Sequence, residues 1–106
     1  MKTINISKDY TNIPGPRFAR QGAFSGEEFR RKILLPAFKK ARENKEMLEV
    51  VLDGTYGYFD SFLEESFGGL ARELNDNSIF ECFRFVSIEN PTLPSKIKDF
   101  IDKAIK

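Results

Sequence analysis

The pattern of apolar residues predicts an α/β domain, a mixed sheet of about four strands flanked by three helices. Three observations carry that expectation. The run Leu48-Glu49-Val50-Val51-Leu52 has the β-branched, apolar character of a buried strand, and Ile79 to Ile88 reads as another. Apolar residues at helical spacing mark helices near residues 26–44, 62–74 and 96–105. Strands alternating with helices of this length favour a parallel core joined by right-handed crossovers.

In chain order, Thr3-Ile4-Asn5-Ile6-Ser7 alternates apolar and polar residues, as a strand with one buried face does. Pro14 and Pro16 lack backbone donors and interrupt pairing in the connector that follows. Arg17-Phe18-Ala19-Arg20-Gln21 is expected as a second strand, with a plain extended loop as the alternative. Ser25 is placed to cap the next helix, with Glu28 reaching back in a capping box. Phe29, Ile33, Leu34, Ala37, Phe38 and Ala41 form its buried stripe, Pro36 predicts a kink, and Asn44 ends it. Leu48 to Asp53 fits a central strand covered on both faces. Ser61 with Glu64 forms a second capping box, and the adjacent Gly68 and Gly69 point to close packing against a neighbouring element, with a surface for a partner's approach as the alternative. In the strand from Ile79, Phe83 and Phe85 face one side, and Cys82, Arg84 and Val86 the other. Ser95 is expected to cap the last helix, whose stripe is Ile97, Phe100, Ile101, Ala104 and Ile105.

Composition narrows the function. A chain of 106 residues with eleven phenylalanines is read as one domain, 1–106, with a real core. The net charge of +1, with acids and bases interspersed, gives no electrostatic footprint for nucleic acid. There is no histidine, the commonest general base and metal ligand. The single cysteine, Cys82, allows no intrachain disulfide and fits a reducing, cytoplasmic setting. The polar start MKTINISKDY is not expected to be a signal peptide, and no apolar run approaches the ~20 residues of a membrane span. No cofactor is expected.

The segment from Leu48 to Leu74 concentrates the candidate residues. Sites in open α/β sheets form beyond the carboxyl ends of strands, which is where Asp53, Gly54, Gly57, Asp60, Ser61 and Phe62 fall. Gly54 and Gly57 permit positive φ in a tight loop, but no phosphate-binding glycine motif is present. Asp53 is a candidate loop anchor. Ser61 is explained by capping alone or, functionally, as a switch hydroxyl with Asp60 its electrostatic neighbour. Glu64 and Glu65, about 100° apart on a helix, make no obvious acid/base pair, and an enzyme is the least favoured class.

Val50-Val51-Leu52-Asp53 followed by Tyr58-Phe59-Asp60-Ser61-Phe62-Leu63 resembles the strand, loop and helix start of STAS domains, those of sulfate transporters and anti-sigma-factor antagonists. With Ser25-Gly26-Glu27-Glu28-Phe29-Arg30 before it, and Glu64-Glu65 and Phe67-Gly68 after it, the chain more closely resembles the STAS-like domain family of unknown function, over about residues 17–90. The resemblance implies a βαβ sheet with helices on one side and a regulatory, protein-binding role. In the antagonists, a partner with a histidine-kinase-like ATPase fold phosphorylates the serine after the aspartate, the place Ser61 takes here. The antagonists follow that serine with a small residue and a glycine; here Phe62 and Leu63 follow. The expected function is therefore a non-catalytic interaction module, switched at Ser61 and partnered with such an ATPase or an anti-sigma-type factor. The alternative is a small-molecule or nucleotide binder using the same loop.

Overall fold

The structure, a computed structural model, describes residues 2–105. The chain runs through β1 (Lys2–Asn5), the short helix α1 (Ile6–Asp9) and a 3-10 turn at Ala19–Gln21. Helix α2 follows over residues 26–43, then β2 (Leu48–Val51) and helix α3 over residues 60–74. A second 3-10 turn at Ile79–Cys82 leads into β3 (Phe83–Val86), and helix α4 (Leu93–Lys103) completes the order.

The three strands form one sheet in the order β1-β2-β3, parallel throughout. This corrects the expected mixed sheet of about four strands. The strand that does not form is Arg17–Gln21. The carbonyls of Pro16 and Arg17 accept instead from the amides of Gly26 and Glu27, at 2.9 and 3.0 Å, so this segment satisfies the first donors of α2. Ala19 donates its amide to the Glu27 carboxylate, and the chain turns over Ala19–Gln21. The outer strands are also shorter than expected. Asn5 accepts at its side chain from the amide of Lys8 and the hydroxyl of Ser7, which turns Ile6 and Ser7 into α1. Residues 79–82 wind as a 3-10 turn before β3 begins.

Consecutive strand order with right-handed crossovers places α2 and α3 on the same face of the sheet. Burial agrees: Ile4, Leu48, Val50 and Phe83 are buried on the helix side. The opposite face carries the register row Thr3, Glu49, Arg84, in which Thr3 donates to Glu49 at 3.2 Å and Arg84 lies 3.5 Å from it. Helices thus cover β2 on one face, not both as expected. Phe29, Phe38, Phe62 and Phe67 are fully buried between sheet and helices.

The helix ends follow local chemistry. Ser25 caps α2 as expected, its hydroxyl accepting from the amide of Glu28 at 3.0 Å. Glu28 does not complete the box; its carboxylate accepts from the Tyr10 hydroxyl and from Lys32. Pro36 has no N–H for the carbonyl of Lys32, and the strain is taken up by a π turn just upstream at Arg30–Leu34. There Leu35 bonds to the carbonyl of Arg30, five residues back. Helix α3 carries a second π turn at Glu64–Gly68. Ser95 does not cap α4, which begins earlier, at Leu93, with Pro94 in its first turn, where a missing N–H removes no helical bond. Among the described residues, no helix is long and apolar enough to cross a membrane.

Gly68 and Gly69 have the packing role their adjacency predicts. A Cβ on Gly68 would come within 2.6 Å of the Glu64 carboxylate, and one on Gly69 would overlap the Arg30 guanidinium. Bare backbone here lets charged side chains lie across α3. Arg72 and Arg17 bond to Glu64, and Arg30 bonds to Glu65 and, at 3.2 Å, to Glu73. Hydrogen bonds from Arg72, reinforced by Arg17, hold the Glu64 carboxyl below its ordinary value of 4.5. Hydrogen bonds from Ser78, then from Arg42, bring Asp76 down to about 2. Both groups are depressed in the folded state, so their stabilisation is complete above their unfolded pKa values and is lost as pH falls through the folded ones. The thermal midpoint is therefore expected to fall between about pH 4.5 and about pH 2. Glu64→Gln should lower the midpoint at neutral pH and flatten this acid limb, as read by calorimetry across that range. An equally steep limb in the variant would assign the acid loss to other carboxylates.

Candidate functional site

The three parallel strands deliver their following loops to one end of the sheet, and Asp53 ties two of these loops together. The ladder continues one residue past β2, with the Leu52 amide donating to Val86 at 2.8 Å. Asp53 comes next. Its two carboxylate oxygens accept from the amides of Ile88 and Glu89, at 3.0 and 2.9 Å. Glu89 reciprocates by accepting from the Gly54 amide at 2.7 Å. The loops after β2 and β3 are thereby clasped in both directions, and Asp53 is the loop anchor its position suggested.

Gly54 has φ +94°, and a Cβ there would lie 2.6 Å from the Ser7 hydroxyl, so both conformation and space require glycine. Gly57 has φ +128° with open space around it, so only its backbone angle favours glycine. Between them, the Tyr56 amide donates to the carbonyl of Asn12, joining the loop that follows α1 to the same end. Tyr58 donates its hydroxyl to the Leu52 carbonyl at 2.8 Å, and burial pushes its pKa up to about 12.

Helix α3 starts two residues earlier than the Ser61 capping box implied. Phe59 is the N-cap residue, its carbonyl accepting from the amides of Phe62 and Leu63, and no side chain caps the end. Asp60 is the first helical residue and pairs with Lys96 of α4 at 3.0 Å. Ser61 is therefore the second helical residue; it is half-buried, and no protein group hydrogen-bonds its hydroxyl among the described residues. Phe62 is fully buried, its ring 5.9 Å from Phe29 and 5.8 Å from Tyr58. Expected at the partner surface, Phe62 belongs to the core, because its position on α3 turns it under the helix.

The structure thus gathers Asp53, Gly54, Gly57, Asp60 and Ser61 at one end of the molecule and separates Phe62 from them. It adds residues the motif reading missed. Glu89 and Lys96 lie 35 and 36 positions from their partners Gly54 and Asp60, beyond any local pattern. Tyr56, Phe59 and Ile88 are 87%, 65% and 81% exposed. An aromatic residue between the two loop glycines was the one signal of this visible in the sequence. Beside the clasp is a cleft of about 190 Å3, lined by Asp53, Thr55, Tyr56, Glu89 and Lys96 among others. Among the described residues, no group of three or more Cys, Asp or Glu side chains is arranged to hold a metal ion.

Parallel βαβ crossovers, a one-sided sheet and loops gathered at the carboxyl ends of its strands define a small α/β domain. Residues 25–93 match the family model of the STAS-like domain of unknown function (DUF4325), and the chain belongs to that family. No curated protein and no solved structure matches the chain.

Proposed function

We propose that the chain is a non-catalytic, cytoplasmic regulatory module that binds a protein partner through the carboxyl end of its sheet. The observation that carries this is the exposure of Tyr56, Phe59 and Ile88 on loops held in place by the Asp53–Glu89 clasp. Large apolar side chains on pre-ordered backbone lose little conformational entropy on binding and are typical interface anchors. Ser61 is the candidate switch. A phosphate there would sit in the first turn of α3, where backbone amides and the helix dipole favour an anion, and would compete with Asp60 for Lys96. The partner class is a histidine-kinase-like ATPase or an anti-sigma-type factor, in keeping with the Asp60-Ser61 resemblance. The alternative, a nucleotide or metabolite site in the same loop, is disfavoured by size: a cleft of about 190 Å3 is below the roughly 300–1,000 Å3 of small-molecule pockets.

The test is binding to the histidine-kinase-like ATPases and anti-sigma-type factors of the same genome, by calorimetry. At least one should bind, and Tyr56→Ala should weaken that complex by about 30-fold, the scale of an interface hot spot. Ser61→Asp should shift the affinity, and ATP with the partner kinase should label the wild type but not Ser61→Ala. Absence of any complex, or a complex indifferent to Tyr56→Ala and Ser61→Asp, would overturn the reading.

A further inference from the structure

The first strand has an open side. Among the described residues β1 pairs only with β2, so its other edge is free. The Asn5 amide points away from β2 and is taken by the Asp9 carboxylate at 2.8 Å. Strand alternation then turns the N–H and C=O of Thr3, an exposed residue, toward the same open edge. Alongside runs a groove of about 540 Å3, bounded by β1 and α2. It is lined by the apolar Ile4, Ile33, Pro36 and Ala37 and by Lys2, Lys32 and Lys40, with Asp9 the one acid beside them. Lys32 is shared with Glu28, while Lys2 and Lys40 have no ion pair among the described residues.

We propose that this edge accepts an extended acidic segment of a partner protein, which adds a short strand beside Thr3. Strand addition supplies main-chain hydrogen bonds from the edge, and alternate side chains of the guest enter the neighbouring groove. Side chains on one face of a strand recur every second residue. The fitting pattern is therefore acid, any residue, apolar, any residue, acid, with the apolar side chain on Ile33 and Pro36 and the acids against the lysines. A second copy of this chain is a poor guest, because pairing β1 with β1 would bring two sets of lysines together. Asp9 bounds the addition at one end, so the paired stretch is short and the complex transient. The groove shares no residue with the cleft beside Asp53, and the proposal does not depend on the partner surface described above.

A randomised peptide library panned against the intact protein, followed by titration of the selected peptides, tests this. Selected sequences should carry alternating acids around an apolar residue, and the Thr3 amide should become protected from hydrogen exchange on binding. Lys40→Glu and Lys2→Glu, both at exposed positions, should each weaken binding about five- to tenfold, with an effect that shrinks in high salt. Thr3→Pro removes an outward N–H that the β1–β2 ladder does not use, and should abolish binding in a chain whose circular dichroism is unchanged. Failure to select acidic peptides, or peptides whose affinity ignores both lysine reversals, would overturn the proposal. If Thr3→Pro unfolds the chain, protection of the Thr3 amide in the wild type decides between strand pairing and charge attraction alone.

Discussion

Truncating Phe67 to alanine is expected to destabilise the domain by about 3–5 kcal/mol, the range for removing a fully buried aromatic ring. Phe67 is the point where the α3 layer meets both the sheet and α2. Its ring lies 5.6 and 5.5 Å from Phe83 and Phe85 of β3, both edge-on, and 6.4 Å from Phe29 of α2. Deleting it leaves a cavity bounded by rings whose backbones belong to two different elements, α2 and β3, so the site cannot collapse by moving one side chain. Urea unfolding at 25 °C reads the loss as a lower midpoint with little change in slope. Phe59→Ala is the matched control; its ring is 65% exposed, and the change should stay within about 0.5 kcal/mol. Similar losses at the two positions would contradict the division between core and partner surface.

Glu65→Ala should have the next largest effect, about 2–4 kcal/mol. Removing one partner of a buried ion pair strands the other charge, and the usual 3–5 kcal/mol is reduced here because both side chains retain some solvent contact. Glu65 and Arg30 are 11% and 13% exposed at the side chain, and they join the π turn of α3 to that of α2. Arg30 also donates to the Glu65 carbonyl at 2.7 Å, a bond the substitution keeps. A double-mutant cycle separates the two contributions. Arg30→Met in the Glu65→Ala background should recover part of the loss, since the largely buried guanidinium, left with only the more exposed Glu73 as its ion-pair partner, is then gone. If the double variant is as unstable as the two singles added together, the pair contributes nothing beyond packing.

What the sequence disclosed follows the range of the interactions involved. The Ser25 cap, the positive-φ loop glycines and the core stripe of α2 depend on neighbours within a turn or so, and each is where the pattern put it. The division of β3 into a side with Phe83 and a side with Arg84 was equally legible because strand alternation is local; which side faces the helices was not. Errors arose where a distant group took over a local role. Arg17–Gln21 has the alternation of a strand, but the amides of Gly26 and Glu27 claim the carbonyls at its start. Ser61 and Glu64 have capping-box spacing, yet Glu64 is drawn to Arg17 and Arg72 and the helix opens on the Phe59 carbonyl. In the candidate site, Asp53 could be singled out because it ends a strong strand. Glu89 and Lys96 could not, since only the parallel register brings the loop after β3 beside the loop after β2.

The π turn at Glu64–Gly68 has a further consequence for how this chain can vary in length. A π turn holds one more residue than the α-helical turn it replaces, so it absorbs that residue while the helix on either side keeps its phase. Phe62 and Leu63 before it, and Leu70 and Ala71 after it, all face the core. Deleting a single position within 64–68 would restore a regular turn with Leu70 still inward, whereas a deletion elsewhere in α3 would rotate the residues beyond it by about 100°. The helix therefore tolerates a change of length in this one turn, and other insertions or deletions in relatives should fall in the loops on either side of it.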